Sequence, residues 1–194
     1  MIQDAPSNAS NRFEVAAELN RRISGTTFPF WGCPTIRANR WLSPRKTHRY
    51  DDSLPERRIC DTYLPTAQPC WKLAYPGSVG SQALLGIPIQ RALRDDPALC
   101  VAARVWPYET GLRAPPADAR VVLAEVYPSI VRTATKPGAV KDAVQVETIA
   151  RRFAERDAAG LLGVDMAGPA ALTPAQRAHI VAEEGWILGA GTLA

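Results

Sequence analysis

The chain has 194 residues, 46% of them hydrophobic and 22% charged, with a net charge of +4 and a pI near 9.0. A chain of this length is one domain's worth and buries roughly 70% of its unfolded surface on folding. No run of about 18 apolar residues is present to span a membrane, and MIQDAPSNAS lacks the basic and apolar regions of a secretory signal, so the expectation is a globular cytoplasmic protein with no membrane partner.

In chain order, residues 1–9 are polar, small and Pro-containing and predict a flexible lead. From Asn11 to Ser24 the apolar residues Phe13, Ala16, Ala17, Leu19 and Ile23 recur at helical spacing. Ser10 or Asn11 is the expected N-cap and Gly25 the terminator. Between Gly25 and Tyr75 periodicity is lost, while prolines and the aromatics Phe28, Phe30, Trp31, Trp41, Tyr50, Tyr63 and Trp71 accumulate. Loops longer than about 15 residues inside compact domains tend to be functional or disordered, and the aromatic content argues against disorder. A short helix near Glu56–Tyr63 is expected to interrupt this region.

Arg37, Arg40, Arg45, Lys46, His48 and Arg49, with Trp41 and Tyr50 between them, are the residue types a single-stranded nucleic-acid groove uses, cations for phosphate and rings for stacking. Asp51, Asp52 and Glu56 follow at once, so a solvated mixed-charge loop is the competing reading.

A helix is predicted from Ser78 to about Gly86, and a second from Ile89 to Asp95 beyond Pro88. Ser78, Gly80 and Ser81 at the first helix start could offer N–H groups to a phosphate, although no P-loop or dinucleotide fingerprint is present. Residues 100–109 and 120–127 predict strands, rich in Val, Leu and Tyr and ended by Pro128. Ten residues, Thr110 to Ala119, with Pro115-Pro116 among them, are too few for a crossover, so an antiparallel pair is expected. A symmetric hairpin places Arg104 opposite Glu125, and it sets Glu109 about 17 Å from Glu125 on the other face, at about 3.4 Å per residue.

Val140 to Ala159 predicts a helix with Val140, Val144, Ile149, Phe153 and Ala154 on one face, Asp142 in its first turn and Gly160 closing it. Gly163 to Ala171 reads as a loop. Thr173, Pro174 and Gln176 form a capping box for a last helix, after which Trp186, Ile187 and Leu188 are expected to tuck onto the core. The organisation expected is a single domain, 1–194, whose strand–strand–helix core spans 100–160.

Cys33, Cys60, Cys70 and Cys100 are spaced 27, 10 and 30 residues apart, with only His48 and His179 to assist, a poor zinc pattern and a good one for reduced thiols. No G-x-S-x-G is present for a serine nucleophile. Carboxylate chemistry is better placed. Glu125, near a strand end, and Asp142, at the next helix start, can meet above a sheet edge and offer hard oxygens to Mg²⁺ or Mn²⁺. In the structural alternative, Glu125 pairs with Arg104 and Asp142 complements a helix dipole.

The segments WKLAYPGSVGSQALLGIP, RVWPYETGL, VVLAEVYPS, VKDAVQV and EEGWILG, in that order, with FPFWGCP and SPRK upstream, resemble the C-terminal two-thirds of a bacterial family of predicted nucleases with an RNase H-like fold, domain of unknown function 429. The resemblance implies an α/β fold with a mixed sheet flanked by helices and metal-dependent phosphodiester hydrolysis. Glu125 and Asp142 would be catalytic metal ligands, with Glu109 a further ligand, and Arg45, Lys46 and Lys72 would hold phosphates. Family members begin with an aspartate-bearing strand and a β-meander that precede the helix starting here at Asn11. The expectation is therefore a partial RNase H-like sheet, its N-terminal strands missing through truncation or a misassigned start, and incomplete as a catalyst. The alternative is a non-catalytic nucleic-acid- or protein-binding domain.

Overall fold

A computed structural model describes residues 2–7, 9–133 and 138–193 of the chain. Among these residues it is a mixed α/β protein with six α-helices and a two-stranded parallel sheet. The residues gather into two compact units, the first comprising Met1–Asp61 and Thr66–Leu93 and the second Thr62–Pro65 and Arg94–Ala194. Among the described residues, no helix is long and apolar enough to cross a membrane.

The first unit is built on α1, Arg12–Ile23, whose apolar stripe buries Phe13, Ala16 and Ala17 as its spacing predicts. These pack with Phe30, Cys33, Leu42 and Leu73, flanked by Trp41, Trp71 and Leu84, each large apolar side chain contributing about 1.5–3 kcal/mol by leaving water. Asn11 takes the N-cap position without a side-chain capping bond, because its Oδ1 accepts from the Gln3 amide instead. The expected lead thus folds back, with an Asp4–Ser10 bridge and the Ala5 amide donating to Ala9; residues 1 and 8 lie outside the described residues. At the other end Gly25 adopts φ 67° and donates to Asn20 and Arg21, the terminator its position predicts.

The irregular stretch that follows is held by a buried polar side chain. Asn20, fully buried in α1, donates from Nδ2 to the carbonyls of Phe30 (2.9 Å) and Trp41 (2.7 Å) and accepts from the Phe30 amide (2.8 Å). A parallel bridge between Trp31 and Lys72, with the Leu73 amide donating to Trp31, adds a second tie. Regular structure in this stretch is limited to a 3₁₀ turn, Thr35–Arg37, and the short α2, Ile59–Thr62.

One helix, α3, runs unbroken over Gly80–Asp95 with Pro88 inside it, correcting the two-helix expectation. A proline removes one i→i−4 bond but leaves the flanking turns free to continue.

In the second unit β1, Ala103–Val105, pairs in parallel with β2, Val121–Leu123, in the register Ala103↔Val121, Arg104↔Val122 and Val105↔Leu123. This overturns the antiparallel hairpin and its opposition of Arg104 to Glu125. The reason lies in where β1 stops: the chain turns at Trp106-Pro107, with the Glu109 amide donating to Val105 and the Gly111 amide to Pro107. That leaves residues 106–120 for the return, and a dozen or more residues suffice for a parallel crossover. Beyond β2, Glu125 forms a parallel bridge with Ile187, and the Leu188 amide donates to its carbonyl at 2.9 Å.

After a 3₁₀ turn at Pro128–Ile130, α4 covers Lys141–Ala158. Ile149 is buried and Val144 and Phe153 half-buried, but Val140 and Ala154, expected on the same face, are exposed. The predicted loop 163–171 is helical in its first half, where α5 covers Leu162–Ala167. Its Asp165 is completely buried and takes a bidentate pair from Arg156 of α4 at 2.6 and 2.8 Å and a bond from the Thr192 hydroxyl at 2.8 Å. The capping box at Thr173 and Gln176 forms as expected and opens α6, Pro174–His179, which continues as a π turn over Ile180–Glu184. Trp186, Ile187 and Leu188 are buried, as their apolar run predicts.

Candidate nucleic-acid interface

The expected phosphate-binding residues fall in the first unit and the expected metal ligands in the second. Charge divides the same way: the first unit carries 12 Lys and Arg against 7 Asp and Glu, a net of +5, and the second 11 against 12, a net of −1.

In the first unit, Trp31 and Tyr50 are half-buried, and each has a lysine against its ring, Lys72 Nζ 5.6 Å from the Trp31 centroid and Lys46 Nζ 5.8 Å from that of Tyr50. Trp31, Lys46, His48 and Tyr50 line one shallow depression with Thr27, Phe28, Pro29 and Thr47. Ring contacts continue behind it: Phe28 to Tyr50 at 5.0 Å, Tyr50 stacked on Trp71 at 6.3 Å, and Trp71 edge-on to Phe30 at 5.2 Å. The Tyr50 hydroxyl donates to the Pro29 carbonyl at 2.6 Å, and burial pushes its pKa well above the ordinary value, with Glu56 adding to the rise. Tyr50 is therefore a fixed, neutral ring.

The mixed-charge reading holds for part of the basic cluster. Lys46 pairs with Glu56 at 2.9 Å and Arg37 with Glu14 at 2.8 Å. Asp51 accepts from the Ser53 hydroxyl and the Ser53 and Leu54 amides, which hold its carboxyl below the ordinary range. Arg40, Arg45, Arg49 and Lys72 show no carboxylate partner among the described residues; Arg40 lies over the Trp41 ring at 5.6 Å, and Lys72 donates to the Pro76 carbonyl at 2.6 Å.

The start of α3 is built differently from a phosphate cradle. The Gly80 amide donates to the Lys72 carbonyl at 2.8 Å, and the Ser81 hydroxyl donates to the Leu73 carbonyl. A Cβ at Gly80 would lie 2.5 Å from the Cys70 carbonyl oxygen and 2.7 Å from that of Lys72, so this glycine serves close backbone packing. Ser78, half-buried, donates its amide to Tyr75.

Of the three candidate metal ligands, Glu109 is occupied. Arg94 grips both its oxygens, with contacts of 2.7–2.9 Å, and the Val105 amide donates to it at 2.6 Å. The Arg94 hydrogen bond holds the Glu109 carboxyl below its ordinary pKa. Glu109 is thus a brace on the turn after β1 and does not fit the role of metal ligand. Glu125 is exposed beyond β2, and Asp142 is exposed in the first turn of α4. Arg104 pairs with Asp118 at 2.6 Å, rather than with Glu125 as the structural alternative expected. Among the described residues, no group of three or more His, Cys, Asp or Glu side chains is placed to hold a metal ion.

Asn20, Thr27, Thr47 and the Arg156–Asp165 pair escaped the reading of the residues. Asn20 alone carries a local signal, being a poor helix former in the middle of an apolar helical stripe.

Comparison with known proteins finds no matching family model, curated protein or solved structure.

Proposed function

We propose that this chain binds single-stranded nucleic acid, in the cytoplasm, through the basic aromatic face of its first unit. The observation that carries the reading is the pairing of the half-buried rings Trp31, Trp41 and Tyr50 with Lys72, Arg40 and Lys46; of these cations Lys72 and Arg40, and beside them in sequence Arg45 and Arg49, have no carboxylate partner among the described residues. Cations of this kind hold phosphates, and rings of this kind accept stacked bases, each worth about 1–3 kcal/mol. Fluorescence anisotropy with a short single-stranded oligonucleotide over a salt series tests it. If Arg40, Arg45, Arg49 and Lys72 each neutralise one phosphate, log K falls against log salt with a slope of about −2.8. Arg45→Glu combined with Arg49→Glu should flatten that slope. No binding at low salt, or binding indifferent to salt, refutes the reading.

Metal-dependent phosphodiester hydrolysis on a partial RNase H-like sheet is the second reading. It is favoured by the exposure of Glu125 and Asp142, the two acidic positions the family resemblance assigns to catalysis. Both offer hard carboxylate oxygens of the kind that suit Mg²⁺ or Mn²⁺. A bound ion of that type polarises a phosphodiester and lowers the pKa of water. Glu125 and Asp142 would hold and orient it. Purified chain with single-stranded DNA, RNA or hybrid in Mg²⁺ or Mn²⁺ should show cleavage that is lost in Glu125→Ala and Asp142→Ala. Cleavage surviving both substitutions equally sinks this reading.

A further inference from the structure

Within the depression lined by Phe28, Trp31, Lys46 and Tyr50, three polar side chains form a connected chain of hydrogen bonds. Thr27 Oγ1 lies 2.8 Å from Thr47 Oγ1 and 3.0 Å from His48 Nε2. Two loop segments twenty residues apart supply the trio, which the rings hold in register: Phe28 meets His48 edge-on at 5.9 Å and packs on Tyr50 at 5.0 Å.

The hydrogens of this chain can run in either direction, and both leave a donor over. With the Thr47 hydroxyl donating to Thr27 and Thr27 donating to His48 Nε2, the imidazole carries its proton on Nδ1, and that N–H is the donor left over. With His48 Nε2–H donating to Thr27 and Thr27 to Thr47, the Thr47 hydroxyl hydrogen is the one left over. Neither His48 Nδ1 nor a further acceptor for Thr47 is engaged among the described residues. Thr47 and His48 are exposed, Thr27 is half-buried, and all three line the depression, so in either arrangement the spare donor belongs to a solvent-exposed residue. Arg45 and Arg49, which flank the Lys46–Thr47–His48 run and have no carboxylate partner among the described residues, add positive potential beside it. A group that accepts hydrogen bonds, carries negative charge and comes attached to a flat ring fits this combination.

We propose that Thr27, Thr47 and His48 form a phosphate subsite, with the nucleotide's base against the neighbouring rings. This deepens the nucleic-acid reading and rests on it for the identity of the polymer, while the phosphate chemistry stands on the trio itself.

The chain has only two histidines, His48 and His179, so ¹⁵N imidazole spectra of the full chain report the site and carry their own control. His179 pairs with Glu184 at 3.4 Å in the other unit. Titration with inorganic phosphate, and separately with short oligothymidylate, should move the His48 signals saturably and leave those of His179 in place. Thr27→Val and His48→Gln should each weaken both ligands roughly tenfold to a hundredfold, the equivalent of one lost hydrogen bond to a charged group. Oligonucleotide binding that leaves His48 unmoved overturns the subsite and leaves the surface reading standing. A His48 shift with phosphate, but no oligonucleotide binding, upholds the subsite and removes the polymer reading. Shifts reproduced by chloride at matched ionic strength, or unaltered affinity in both variants, refute the proposal.

Discussion

Replacing Asn20 with alanine removes the side chain that fastens α1 to the aromatic face. Three hydrogen bonds disappear, at 2.9 Å and 2.7 Å to the Phe30 and Trp41 carbonyls and at 2.8 Å from the Phe30 amide. A buried polar group left unpaired costs about 1–3 kcal/mol; counting the two Phe30 groups over that whole range and the part-buried Trp41 carbonyl at the low end gives a loss of about 3–7 kcal/mol. Against a domain stability of about 5–15 kcal/mol, that is enough to unfold a large share of molecules under mild denaturant. Urea titration followed by tryptophan fluorescence measures it, because Trp31, Trp41 and Trp71 all lie in the unit that Asn20 holds together. Asn20→Leu separates packing from hydrogen bonding: it restores bulk and supplies no donor, so it should remain almost as unstable as the alanine variant. Asn20→Asp turns an acceptor oxygen toward two carbonyls and should fare no better. A loss below about 1 kcal/mol for alanine, or full recovery with leucine, would show that the three bonds do not hold this region as argued.

Three further outcomes follow from the packing. Gly80→Ala drives a Cβ to within 2.5 Å of the Cys70 carbonyl oxygen, so thermal unfolding should show a loss of about 1–3 kcal/mol or more, with α3 displaced. Asp165→Ala strands the Arg156 guanidinium in a largely buried position and frees Thr192; a loss of about 3–5 kcal/mol in chemical denaturation is expected, together with faster proteolysis of the last residues. Glu109 has a folded-state pKa below its ordinary 4.5, so its stabilisation is whole above that value and is lost as pH falls through the folded pKa. Acid titration of stability should therefore be shallower in Glu109→Gln than in the parent below about pH 4.5, and parallel curves would contradict the Arg94 brace.

Elements written in local pattern were legible in the residues. The stripe of α1, the glycine that ends it, the capping box at Thr173 and the burial of Trp186 to Leu188 each depend on neighbours three or four positions away or on plain hydrophobicity. Strand direction depends on something else. Pairing partners are chosen by where the chain turns, and Trp106-Pro107 ended β1 early enough to lengthen the return and permit a parallel pair. With the antiparallel register gone, the division of Glu109 from Glu125 no longer rests on strand arithmetic; Glu109 is set apart by its grip on Arg94. The glycine and serine at the start of α3 had the composition of a phosphate cradle, yet their donors face the carbonyls of Lys72 and Leu73, a contact across a fold in the chain that spacing does not reveal.

By itself the sequence determined α1, α4 and α6 with their ends, and the concentration of rings and cations between Gly25 and Tyr75, since propensity, capping and composition act locally. Only the tertiary structure decided which cations keep a carboxylate partner, which rings meet lysines, and which hydroxyls join His48, because these depend on distances between segments that the folded backbone sets.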